Sequence, residues 1–199
     1  GKFSVRKLLF TLLIYAAVSI ISIPILFIIT NLTGIHHISQ KGYSVSTILQ
    51  GVFLAPIYEE IIFRLWLKPN KSIYFIVLFT SVTLLVLCHY QGKYLCFTVL
   101  FVILFLILII NIVNRIAPKH FFLSHFKYFF WFQAVSFGLL HMANFYGSSI
   151  YLIALLSPIL CFPQIAMGFI LGYIRMNYGF LYCVIIHMII NSVLLIYLF

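Results

Sequence analysis

Residues 55–64 read Ala55-Pro56-Ile57-Tyr58-Glu59-Glu60-Ile61-Ile62-Phe63-Arg64. They sit inside a mostly apolar run, Val45 to Leu67, which is long enough for a membrane-spanning helix of about 20 residues. Ionisable groups at the centre of such a helix cost about 2.5–3.5 kcal/mol each, even on the most lenient insertion scale. Side chains that carry this cost face the interior of a helix bundle, where partners or water can meet them. Glu59 and Glu60 are also the only two acids in the chain, so every side-chain carboxylate lies in this one dipeptide. The stretch therefore predicts a polytopic bundle built around a polar interior.

The composition agrees. Of 199 residues, 65% are hydrophobic and 7% charged, where a soluble domain carries about 25% charged residues. A water-soluble globule, a disordered chain and a disulfide scaffold are all excluded. The net charge of +10 comes from Lys and Arg scattered singly or in pairs between apolar runs. That pattern fits loops meeting anionic lipid and gives no nucleic-acid surface. Cys88, Cys96, Cys161 and Cys183 show no CxxC spacing and read as small lipid- or helix-facing residues. The first apolar run, after Lys2, Arg6 and Lys7, is too long for a signal peptide and is expected to stay as a first helix.

Seven spans are expected: Leu8–Ile29, Val45–Leu67, Ile73–Cys88, Tyr94–Val113, Lys127–Phe145, Ile150–Ile174 and Phe180–Phe199. Pro158 and Pro163 predict that the sixth is kinked or broken in two. The chain thus reads as one all-α transmembrane domain over residues 1–199. Lys2, Arg6, Lys7, Lys68, Lys71, Arg115, Lys119, Lys127 and Arg175 fall on one side, with Lys41 and Lys93 on the other. The positive-inside rule then places the N-terminus in the cytoplasm and the C-terminus outside.

Within the spans, Glu60 and Arg64 stand i, i+4 with the acid first, the favoured order for a helical ion pair. Glu59, about 100° around the helix, is left without a partner. The fifth span carries Phe137-Gly138-Leu139-Leu140-His141, and the seventh His187-Met188-Ile189-Ile190-Asn191, which puts His187 and Asn191 on one face. A carboxylate, two imidazoles and an amide on three helices supply a base, groups to hold a water, and a donor for an oxyanion. Glu59, His141 and His187 also form a donor set for a divalent metal such as zinc, so metal-dependent and metal-free chemistry both stand. Rise along the helices sets Glu59 and His187 at similar depth and His141 roughly 12 Å away, toward the outside. His36, His37, His120 and His125 fall in expected loops, and His89 at a span end.

Taken together, Glu59-Glu60-x-x-x-Arg64, Phe137-x-x-x-His141 and His187-x-x-x-Asn191 resemble the motifs of the CPBP (Abi) family of intramembrane proteases. That family includes type II CAAX prenyl endopeptidases and bacterial proteins linked to bacteriocin processing and self-immunity. The resemblance covers about residues 45–67 and 127–199, including Gly168, Gly172 and Tyr173 in a glycine-bearing penultimate helix. It leaves two extra spans, about 73–113, between the first and second motifs. Leu65 stands where the family often has glycine. The resemblance implies that Glu59 is the general base, that His141, His187 and Asn191 bind water or a metal and stabilise the oxyanion, and that Glu60 with Arg64 orients the site.

The reading is an intramembrane endopeptidase acting on a lipidated or membrane-embedded peptide, with membrane lipid and that substrate as partners. A proton-coupled transporter using Glu59 and the histidines, and a non-catalytic immunity or scaffold protein, are the alternatives. No repeat symmetry favours the transporter. The Phe, Ile, Leu, Tyr, Lys and Asn-rich usage points to the membrane of a low-GC bacterium.

Overall fold

The computed structural model describes residues 4–38, 45–68, 71–90 and 121–196, with a few single positions between 101 and 109. The fourth expected span, most of Tyr94–Val113, lies outside the described residues, as do Lys2, Lys41, Lys93, Cys96, Arg115, Lys119 and His120.

Helix α1 (Val5–Thr33) opens at Ser4, whose hydroxyl accepts from Lys7 N–H, and ends at Gly34 with φ of 67°. That left-handed cap suits glycine, which has no Cβ to clash. Apolar side chains ring almost the whole of α1, and most of them are exposed; a helix apolar all round belongs in lipid. The expected second span is a composite: α2 (Val45–Leu49), a π-turn (Gln50–Leu54), α3 (Ala55–Arg64) and a 3-10 turn (Leu65–Leu67). Next come α4 (Lys71–Tyr90), α5 (Phe126–Leu140), α6 (Ile150–Leu160), α7 (Phe162–Asn177) and α8 (Phe180–Ile196). The sixth expected span is therefore broken. Its halves, α6 and α7, meet at Cys161 with a bend of 49°. The chain is an all-α, multi-span membrane protein. Among the described residues, α1 alone is long and apolar enough to cross a membrane, and the bent α6–α7 pair also passes when taken as one span.

Two helices make the tightest contact. Gly138 of α5 lies against Ile165, and a Cβ on Gly168 of α7 would sit 2.5 Å from the carbonyl oxygen of Ala134. Ala134-x-x-x-Gly138 and Gly168-x-x-x-Gly172 thus let two backbones approach as small residues do in membrane bundles. Gln133 Nε2 crosses the same seam to Gly168 O at 3.3 Å. Around this pair, α3 packs against α4, α5, α7 and α8, so the helix with both acids is walled in.

The expected fifth span stops early. After α5 the chain tightens into a 3-10 turn, His141–Asn144, and then runs extended as β2 (Phe145–Tyr146). β2 pairs antiparallel with β1 (His36–His37), with His37 opposite Phe145. His36 and His37, expected in a solvated loop, are instead part of a short ladder, and His37 is half-buried. Ile35, Phe145, Ile153, Leu160 and Cys161 form a small core beneath it.

Candidate active site

Glu60 is wholly buried and receives three donors. Arg64 Nη1, one turn on along α3, reaches Oε1 at 2.9 Å. His187 Nδ1 reaches the same oxygen at 2.7 Å, and Cys183 Sγ reaches Oε2 at 2.7 Å. Cys183 and His187 are i, i+4 on α8, so one face of that helix clamps both oxygens of the carboxylate. Because a carboxylate accepts, the proton of this bond sits on His187 Nδ1, which fixes the ring and turns Nε2 outward.

His187 Nε2 faces Glu59 Oε2 at 3.6 Å. That is too long for a direct hydrogen bond. Both atoms are buried and have no hydrogen-bond partner among the described residues. Glu59 differs from its neighbour in exposure, its side chain being 17% accessible where Glu60 is fully enclosed. Two adjacent carboxylates thus have different surroundings: one saturated with donors, the other open to whatever comes between it and His187.

Phe137 organises the remainder. Its ring lies 3.7 Å beneath the Arg64 guanidinium carbon, which offsets the lack of hydrogen-bond partners at Arg64 Nε and Nη2 among the described residues. The same ring makes edge contacts with Phe63, His141 and His187, with centroids 5.5, 5.0 and 5.7 Å away. His141 ends α5 and donates from Nδ1 to Phe137 O at 2.9 Å. It touches the site through Phe137 and on its other side lies close enough to His37 to act on it electrostatically. Burial, and then the nearby His141 charge, hold His37 below the usual histidine range.

Asn191, one turn beyond His187, donates from Nδ2 to Gly51 O at 2.9 Å. The structure thus brings Glu59, Glu60, Arg64 and His187 into direct contact, links His141 to them across Phe137, and ties one N–H of the Asn191 amide to the π-turn. Of the metal donor set, Glu59 and His187 come together, but His141 does not join them. Among the described residues no three His, Cys, Asp or Glu side chains converge to hold an ion.

Two contributors were not legible as such in the sequence. Cys183 is a hydrogen-bond donor to Glu60, although its spacing marks only a small residue in an apolar helix. Arg175, counted above with the loop cations, is buried and donates from Nε to Arg64 O at 3.1 Å and from Nη2 to Leu65 O at 3.3 Å. The last carbonyls of a helix lack intrahelical donors, and a cation there also meets the negative end of the helix dipole. Arg175 thereby fixes the end of α3 just beyond Arg64.

The family model for type II CAAX prenyl endopeptidase Rce1-like proteins matches residues 41–193. The chain belongs to this family. It is accordingly a CAAX-type endopeptidase embedded in the membrane. No curated protein and no solved structure matches the chain. In this endopeptidase the matched region takes in all three motifs and the clamp on Glu60.

Proposed function

We propose that the chain hydrolyses a peptide bond of a lipidated or membrane-embedded substrate with a water activated by Glu59 and His187. The observation that carries this is a pair of buried polar atoms, Glu59 Oε2 and His187 Nε2, 3.6 Å apart and without hydrogen-bond partners among the described residues. A water between them donates one hydrogen to each and keeps its lone pairs for attack on the scissile carbonyl. Glu59 takes the proton as the C–O bond forms and returns it to the leaving amine as the C–N bond breaks. Glu60, held by Arg64 and Cys183, keeps His187 in the tautomer that accepts from water. His141 is assigned to the developing oxyanion. The steps proposed run on side chains and water; a chelator that stops cleavage by the wild type would contradict this.

The family description favours a prenylated peptide, and the bacterial cast of the composition favours a leader or membrane peptide. Liposomes offered a farnesylated CAAX-type peptide and its unlipidated counterpart separate the two. The orientation proposed is seven spans with the N-terminus in the cytoplasm. Reporter fusions at both ends test it, and a C-terminal reporter active only in the cytoplasm would refute it.

A further inference from the structure

The π-turn at residues 50–54 leaves one carbonyl without a backbone donor. Ala55 N–H bonds to Gln50 O, an i, i+5 step, and so is taken from Gly51 O, its partner in an α-helix. The next i, i+5 donor for Gly51 O would be residue 56, which is proline and has no N–H. Gly51 O instead accepts from Asn191 Nδ2, 140 residues on, at 2.9 Å. The turn matters to the site because it adds a residue to the helix ahead of Glu59. Collapse of the turn to α geometry would rotate α3 by about 100° relative to α2.

We propose that Asn191 is a positioning residue: its amide satisfies the carbonyl orphaned by Pro56 and thereby holds the π-turn that aims Glu59 at His187. This rests on the reading of Glu59 and His187 as the reacting pair, but it makes a claim that can be read without any cleavage. Through this bond the Asn191 amide acts on the chemistry by way of the backbone of residues 50–56. The unusual partner for the test is Pro56. Pro56→Ala returns an N–H at the position where Gly51 O lacks one, so it substitutes for the Asn191 amide.

The experiment compares wild type, Asn191→Ala and Asn191→Ala/Pro56→Ala in lipid nanodiscs. Hydrogen exchange over residues 50–59 is measured together with kcat and KM on the farnesylated peptide. Asn191→Ala is expected to speed exchange there about tenfold, as for loss of one internal hydrogen bond, and to lower kcat with KM unchanged. The double variant is expected to recover both. Unchanged exchange in Asn191→Ala, or a double variant no better than the single one, overturns the proposal. Should Asn191→Ala fail to accumulate, the double variant must accumulate, and its failure also overturns it. If exchange follows the expectation while no form cleaves, the hydrolytic reading falls and the role of Asn191 in the turn stands.

Discussion

His187 turns one ring nitrogen to Glu59 across 3.6 Å while Glu60 grips the other at 2.7 Å. Neighbouring acids on α3 therefore meet one imidazole in different surroundings. Glu60 lies in a closed set of donors, and Glu59 keeps one oxygen without a hydrogen-bond partner among the described residues. The division follows from helix geometry, since consecutive residues point about 100° apart and only one can face both Arg64 and α8.

Arg64→Ala leaves Glu60 buried with its strongest partner gone. Breaking a buried pair from one side costs about 3–5 kcal/mol. The variant is expected to melt well below wild type in detergent, and Glu60→Gln/Arg64→Gln to melt between them. An Arg64→Ala protein as stable as wild type would contradict the pairing of Glu60 with Arg64 in the membrane.

Cys183→Ala removes the donor on Glu60 Oε2, and an unsatisfied buried acceptor costs about 1–3 kcal/mol. Cys183→Ser keeps a donor at the same place. Melting temperature and kcat are expected to fall for the alanine variant and to stay near wild type for serine. Equal behaviour of the two would mean that the thiol only fills space.

Gly168→Ala drives a methyl into backbone, 2.5 Å from Ala134 O. Overpacking of this kind costs about 1–3 kcal/mol or more. Gly51→Ala meets nothing within 4 Å and should leave melting unchanged or raise it slightly. A thermal melt of both in one detergent checks the contrast.

The order and type of most elements were legible in the sequence because each apolar run had to be a helix in lipid. The acidic pair announced the site for the same reason, since charge in a span demands a partner. What could not be read were events that depend on backbone detail. Pro56 gave no sign that a π-turn precedes it, because the missing N–H matters only once Gln50 has taken the donor of Ala55. The fifth helix ends at Leu140 because the chain leaves to pair with His36–His37, a contact between residues more than 100 apart. Arg175 looked like a loop cation because its partners are backbone carbonyls, which no residue pattern marks. His141 meets the other site residues through the Phe137 ring, which touches both it and His187.

The central claim is that the Glu59 carboxylate takes the proton of the attacking water. Glu59→Gln keeps the shape of the side chain and cannot accept that proton. The decisive measurement is cleavage of the farnesylated peptide by wild type and Glu59→Gln in the same liposomes, with ion flux followed in parallel and folding checked by a melt. The account predicts a normally folded variant whose rate is lower by about 10²–10⁴, with no Glu59-dependent flux. Cleavage by Glu59→Gln at the wild-type rate, or Glu59-dependent flux without cleavage, would contradict it.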